Sequence, residues 1–381
     1  MRKNIVTYAE HELEPFSERP FCTVDSLILS WVSYMHLSVA TPEVYTWEGV
    51  ALKELFRAEA FEGLFREMWE TEQSRRLLTA LAASPRFRNI RVCGYTETLD
   101  EGAQMQFSAV LFHLSEDLHY IAFRGTDLSL VGWKEDFNMA FQCPVPSQEE
   151  ARRYTESAAR HCEGALLLGG HSKGGNLAVY AAATSEAAVE ARIERVYSHD
   201  GPGFLSTVLE QENFRRIADK TDKTIPQSSV VGLLMEQCES YRVVKSHRLG
   251  VWQHDPLSWI VDGTDFRYLE EVTDKARYFD RTLSDWLVAI SPEERERFID
   301  ALYGVLSTTG LESFPELLND WQKNVPIIVK AAAALDGDTR QFLYHTLKEL
   351  AVLGVKNARR TEELPRLPEL RKLLKKNPDE A

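Results

Sequence analysis

The stretch Ala165-Leu166-Leu167-Leu168-Gly169-Gly170-His171-Ser172-Lys173-Gly174-Gly175-Asn176-Leu177-Ala178-Val179-Tyr180-Ala181-Ala182 constrains the fold more than any other part of the chain. Its opening apolar run has no polar alternation, which suits a strand buried on both faces. Its closing Ala, Leu and Val residues suit a helix packed closely on a sheet. Between them, glycines stand two before and two after Ser172. A strand that turns this sharply into a helix crowds its neighbours, so side chains at those positions would collide, and the serine Oγ is left projecting above the sheet. Gly-x-Ser-x-Gly alone recurs by chance; the buried strand before it and the helix after it make Ser172 the candidate nucleophile. The competing use of such glycines is a phosphate loop, and no Gly-Lys-Ser or Gly-Lys-Thr follows.

The rest of the chain places that strand in a longer alternation. Val24 to Tyr34 reads as a helix buried on most of its faces, and helical patterns continue to about residue 85. The period then changes. Ile90 to Thr96, Met105 to His113 and His119 to Arg124 are β-rich runs separated by acidic and glycine turns, as in an opening antiparallel hairpin. A helix over residues 148–162 precedes the Ala165 to Leu168 strand. Arg195 to His199, Thr224 to Val231 and Tyr241 to Ser246 are further strands, with a helix over 206–219 between the first two. Strands alternating with helices predict a mostly parallel, doubly wound sheet of the α/β-hydrolase type, whose ligands sit at the carboxyl ends of the strands. Beyond about residue 265 the strand signal stops and helical patterns cover Phe266 to Ile290, Phe314 to Lys323 and Thr339 to Lys356. A further helix, after Ile290, opens with Ser291 as N-cap and Pro292 at the first helical position. The expected organisation is a hydrolase domain over 1–262, including a helical N-terminal segment, and a helical C-terminal region over 263–381. The segment Glu362 to Pro368, charged and punctuated by prolines, reads as a surface tail.

Charge and composition narrow the function classes. A formal net charge of −14 disfavours a nucleic-acid partner, which needs clustered Lys and Arg. The one dense basic run, Arg371 to Lys376, reads as a helix end complementing its dipole. No apolar core follows the basic residues at the start, and no stretch approaches the ~18 apolar residues of a membrane span. A cytoplasmic location is therefore expected. Cys22, Cys93, Cys143, Cys162 and Cys238 are unpaired in spacing and odd in number, which suits reduced thiols. No Cys/His cluster suggests zinc, and no cofactor is expected.

A serine hydroxyl needs a general base, and in this fold the histidine follows the last strand. His247 and His254 both qualify by position. His247 is flanked by Lys245 and Arg248, which would oppose an imidazolium, whereas His254 sits in a loop closed by Pro256. His254 is favoured. The usual place for the orienting acid, after the penultimate strand, holds Ile225-Pro226-Gln227-Ser228-Ser229-Val230 and no carboxylate. Asp200, in His199-Asp200-Gly201-Pro202-Gly203-Phe204, ends the strand after the elbow helix and is the leading choice; its competing role is a turn or helix cap. Glu236 and Asp255 are alternatives, and a Ser-His dyad needs no acid. The oxyanion donors expected are the backbone N–H of Lys173, next after the serine, and Thr126 at the end of Ile121 to Thr126, which could offer both N–H and O–H. The apolar run Leu128 to Trp133 beside that loop reads as a lid or acyl-chain wall, or simply as a buried loop.

Phe123-Arg124-Gly125-Thr126, Trp133-x-x-Asp136 and Gly170-His171-Ser172-Lys173-Gly174-Gly175-Asn176-Leu177-Ala178 together resemble the class 3, fungal-type lipase pattern. The chain is more closely similar to a bacterial family of lipase-like α/β-hydrolases. That family shares the Ser172 to Ala178 elbow, Asp200 to Phe204, Ile225 to Ser229 and Gln253-His254-Asp255-Pro256, so the likeness covers roughly residues 1–262. The resemblance implies Ser172 as nucleophile, His254 as base, and Thr126 with Lys173 as oxyanion donors. One departure stands out: class 3 lipases usually carry an Asn-Asp pair where Gln227-Ser228-Ser229 stands here. The function expected is a metal-free serine hydrolase acting on a lipid or small-molecule ester, a reading compatible with contact at a membrane surface. The alternative is a non-catalytic scaffold binding a partner through the helical C-terminus. A thioesterase or amidase differs only in leaving group.

Overall fold

Nine strands pair into one sheet in a computed structural model that describes residues 3–66, 68, 70–127, 130–237, 239–307, 330–332 and 335–358. In chain order they are β1 (Val50–Ala51), β2 (Arg91–Asp100), β3 (Met105–His113), β4 (Leu118–Phe123), β5 (Ala165–His171), β6 (Ile193–His199), β7 (Thr221–Pro226) and β8 (Tyr241–Val244), then the pair β9 (Val261–Asp262) and β10 (Asp265–Phe266), then β11 (Tyr268–Leu269). The sheet order is β1-β2-β3-β4-β5-β6-β7-β8-β11. Strands β4 through β8 run parallel, and the hairpins at both edges are antiparallel. Parallel strands need long crossovers, and these carry the site, because each crossover begins at a carboxyl end.

The helices of the first unit are α1 (Ile5–His11), α2 (Thr23–Val32), α3 (Phe61–Leu64), α4 (Thr71–Ala83), α5 (Leu130–Asn138), α6 (Pro146–Arg160), α7 (Lys173–Thr184), α8 (Ala187–Glu190), α9 (Ser206–Leu209) and α10 (Glu212–Ala218). Both sheet faces are covered, as the fold class requires. Leu166 and Leu168 of β5 pack with α6, α7 and α10 on one face; Leu167 points the other way, against α1, α2 and α4. Strand alternation thus persists inside a run that is apolar throughout. Each such leucine contributes about 1.5–3 kcal/mol of burial. Every residue of α2 is buried. Its one charge, Asp25, is met by Arg86 at 2.5 Å, and Arg86 also donates to the carbonyls of Glu14, Arg19 and Pro20, which ties the N-terminal segment down.

The described residues divide into two compact units, Met1–Val272 and Thr273–Ala381. The first runs past residue 262 because β11 pairs with β8 at Tyr268↔Val244 and Leu269↔Val243. The helix expected from Phe266 therefore begins later, at Asp274, where the Thr273 hydroxyl accepts from Ala276 N–H. The strand expected over Thr224 to Val231 instead ends at Pro226, after which Ser229 N–H turns back onto the Pro226 carbonyl. Nor is 206–219 one helix; it breaks into α9 and α10. Before residue 85, 3-10 turns and β1 interrupt what the periodicity presents as continuous helix.

The second unit holds the helices α11 (Asp274–Ala289), α12 (Pro292–Ser307) and α13 (Gly337–Ala358). Ser291 caps α12 as expected, accepting from Glu294 N–H while its own N–H donates to the Glu294 carboxylate. The expected helix Phe314 to Lys323, the Glu362 to Pro368 tail, the Arg371 to Lys376 run, Leu128 with Ser129, and Cys238 lie outside the described residues. No helix among the described residues is long and apolar enough to cross a membrane.

Candidate active site

The turn between β5 and α7 puts Ser172 at φ 58°, ψ −132°, a conformation that costs of order 1–3 kcal/mol for a residue with a side chain. Its glycines are there for close approach. A Cβ at Gly174 would lie 2.1 Å from the Phe123 carbonyl oxygen, and one at Gly170 would lie 2.3 Å from the Gly174 carbonyl carbon. The tight crossing brings the ends of β4 and β5 together. Asp200, at the end of β6, shares the positive φ, at 52°. Strain thus falls on two of the residues singled out by sequence.

Three loops far apart in the chain meet here. The Ser172 hydroxyl donates to His254 Nε2 at 2.9 Å, and His254 Nδ1–H donates to Asp200 Oδ2 at 2.7 Å. His254 closes a 3-10 turn, Gly250–His254, that follows β8. Asp200 is fully buried, and its second oxygen accepts from Ser229 Oγ at 2.5 Å and from Gly232 N–H at 3.1 Å. Both donors come from the segment after β7, where the expected acid is missing. That segment therefore holds the carboxylate in place instead of supplying it. With Asp200 accepting from Nδ1, His254 presents a bare Nε2 to the serine, the tautomer a general base needs.

The other candidates lie elsewhere. Glu236 is joined to Phe204 through its backbone, and Asp255 caps the following turn by accepting from Leu257 N–H while facing Arg248 at 3.2 Å. Burial pushes the Asp255 carboxyl up to about 6 against the opposing Arg248 charge. His247 donates its backbone N–H to Ser258, at the start of the loop rather than beside the serine.

On the opposite side of Ser172, the loop after β4 approaches so closely that a Cβ on Gly125 would meet Ser172 Cβ at 3.1 Å. Thr126 is the next residue along that loop, and Lys173 opens α7, whose first-turn N–H groups have no intrahelical partner. The Thr126 hydroxyl donates to Asp136 Oδ2. The Thr126 O–H is thus engaged with Asp136, and the backbone N–H groups of Thr126 and Lys173 stand as the candidate oxyanion donors. Asp136 is raised to about 6 by burial, opposed by the nearby Lys173 charge and the Thr126 bond; its Oδ1 is buried without a hydrogen-bond partner among the described residues.

The Lys173 side chain turns inward and is buried. Its Nζ donates to the Gln106 carbonyl at 2.7 Å, to Gln106 Oε1 at 3.0 Å and to Glu135 Oε2 at 3.0 Å, with both ionic side chains fully buried. Sequence inspection missed this pair, although Lys173 follows the candidate nucleophile and Glu135 adjoins Asp136. It also missed His171, which reaches the His254 carbonyl, and Tyr34, which reaches His171 from far away in sequence. Neither contact has a local signature.

A family model described as Mbeg1-like matches residues 81–304, more than half of the chain. This agrees with the lipase-like resemblance expected from the motifs. No curated protein matches significantly. Similar solved structures include a fungal lipase–inhibitor complex, 13% identical, with 58% of this chain and 79% of that chain covered at a TM-score of 0.35. They also include the native Rhizomucor miehei lipase propeptide complex, 12% identical, covering 65% and 74% at 0.32, and a lipase from Yarrowia lipolytica, 12% identical, covering 47% and 72% at 0.29. A likeness this distant assigns no residue.

Proposed function

The chain belongs to the Mbeg1-like family, and from that premise and the geometry above we propose that it is a serine hydrolase cleaving a carboxylic ester through an acyl-enzyme on Ser172. The observation that carries this reading is the unbroken relay from Ser172 Oγ through the His254 ring to a buried, three-times hydrogen-bonded Asp200 carboxylate. Oγ attacks the ester carbonyl as His254 Nε2 takes its proton. The oxyanion accepts from the N–H groups of Thr126 and Lys173, each such donor being worth about 3 kcal/mol of barrier. Collapse expels the alcohol, protonated by His254, and leaves the acyl group on Ser172. Water then repeats the sequence and releases the acid. Asp200 keeps the ring in one tautomer and faces the imidazolium in both halves. The motif resemblance puts acylglycerols, phospholipids and small esters first among substrates.

Labelling by an alkyl fluorophosphonate, with Ser172→Ala as control, tests the nucleophile. A panel of p-nitrophenyl esters, thioesters and amides then sorts the leaving group. The expected result is an adduct on wild type that Ser172→Ala abolishes, with esters turned over fastest. A folded wild type that forms no Ser172-dependent adduct would replace this reading with that of a non-catalytic scaffold.

A further inference from the structure

A second histidine stands behind the relay. His171 ends β5, immediately before Ser172, and is 4% exposed. Its Nε2 lies 2.8 Å from the backbone oxygen of His254, its Nδ1 lies 3.1 Å from the Tyr34 hydroxyl, and its ring sits 4.6 Å from the His254 ring at a 35° tilt. A carbonyl oxygen can only accept, so the proton is on Nε2, and Nδ1 is the bare nitrogen that accepts from Tyr34. Burial, together with the neighbouring His254, holds the His171 pKa well below that of a free imidazole. Burial also raises Tyr34, so its hydroxyl keeps its proton. The donors therefore run in one direction, from Tyr34 O–H to His171, and from His171 N–H to the His254 carbonyl.

The turn that bears His254 needs such an anchor. Leu249 and Val251 in the same loop are 81% and 55% exposed, so their packing does little to fix it. Gln253 pins the turn from one side: its carbonyl accepts from Trp259 Nε1, and its amide bridges Ser228 N–H and the Arg248 carbonyl. His171 reaches the main chain of His254 itself.

We propose that His171, held by Tyr34, is a positioning residue that locks the backbone of His254 so that Nε2 stays on the Ser172 hydroxyl. The inference rests on the serine-hydrolase reading and extends it. Tyr34 follows α2, in a segment outside the 81–304 family match, so the N-terminal helices contribute to the site as well as covering the sheet. A neutral ring at position 171 also leaves no positive charge beside the histidine that must accept a proton.

The test compares His171→Phe, which keeps a ring and loses the donor, with His171→Gln, whose amide N–H can reach the same carbonyl. Tyr34→Phe, a change of one oxygen, serves as the milder third variant. Rates of inactivation by an alkyl fluorophosphonate give kinact and KI separately, and hydrogen exchange reads the amides of 250–256. His171→Phe is expected to lower kinact by about 10- to 100-fold with KI within about twofold, the size expected from misplacing a reacting group by about an ångström. Exchange over 250–256 rises in parallel. His171→Gln restores most of the rate, and Tyr34→Phe falls between wild type and His171→Phe. Wild-type kinact and exchange in both Phe variants would overturn the proposal, as would a loss that Gln fails to rescue while all the proteins melt alike. A wild type that never labels would end the hydrolase reading instead, and the exchange data alone would then judge the anchor.

Discussion

Asp200→Asn exchanges one oxygen for an amide nitrogen at the centre of the relay, and the structure dictates which way the new side chain faces. Ser229 Oγ and Gly232 N–H are both donors aimed at Oδ1, at 2.5 and 3.1 Å. The amide oxygen must take that side, because an NH2 there would meet two donors in a fully buried pocket. The NH2 is then left pointing at His254 Nδ1, which must give up its proton and accept. The His254 proton moves to Nε2, facing Ser172, and the ring can no longer take the serine proton. A relay trapped in the wrong tautomer loses about 10⁴-fold in kcat, which at ~1.36 kcal/mol per tenfold is about 5.5 kcal/mol of barrier. Volume and two of the three hydrogen bonds survive, so the fold should too. The assay is p-nitrophenyl ester hydrolysis, backed by fluorophosphonate labelling and by a melting curve for each variant. Asp200→Asn turning over within about tenfold of wild type, with an unchanged melt, would refute the assignment of Asp200 and the tautomer argument with it.

Thr126→Val should lower kcat by less than about tenfold, since the lost hydroxyl serves Asp136 and the backbone N–H is retained; a fall of about 10²- to 10³-fold would show that the O–H itself meets the oxyanion. Lys173→Met strands the buried Glu135 carboxylate and should cost about 3–5 kcal/mol in urea unfolding, with Glu135→Leu added on top recovering most of it. No recovery in the double variant would mean the two charges do not depend on each other. Asp136 gives a pH signature. Burial raises its folded pKa to about 6, above the unfolded value near 4, so the stability carried by its protonated form is present below about pH 4 and lost as pH rises through 6. The unfolding free energy of wild type minus that of Asp136→Asn should therefore fall between pH 4 and pH 6, and a level difference across that window would contradict the raised value.

Much of this architecture is legible along the chain, because its causes are local. Glycines around Ser172 answer to a backbone clash one turn away, and the β5 run and α7 helix answer to burial and periodicity within a few residues. The strand-helix alternation places Ser172, Asp200, Thr126 and His254 at carboxyl ends of strands for the same reason. Where a long-range contact or a proline interrupts a local rule, the sequence pattern no longer marks the element's end. Pro226 stops β7 early, and Tyr268–Leu269 adds a strand that only its pairing with β8 makes stable.

What the chain could not decide by itself was which groups face one another across the sheet. Asp200, Glu236 and Asp255 are all plausible partners for His254 when read in order. Only the adjacency of β6, β7 and β8 brings Asp200 to the ring and wraps Ser229 and Gly232 around its far oxygen. Lys173 meeting Glu135, and Tyr34 meeting His171, join residues 38 and 137 positions apart. Such contacts leave no trace in spacing or periodicity, because what stabilises them is the low dielectric of a shared interior, and that interior exists only once the sheet and its two layers of helices have closed around it.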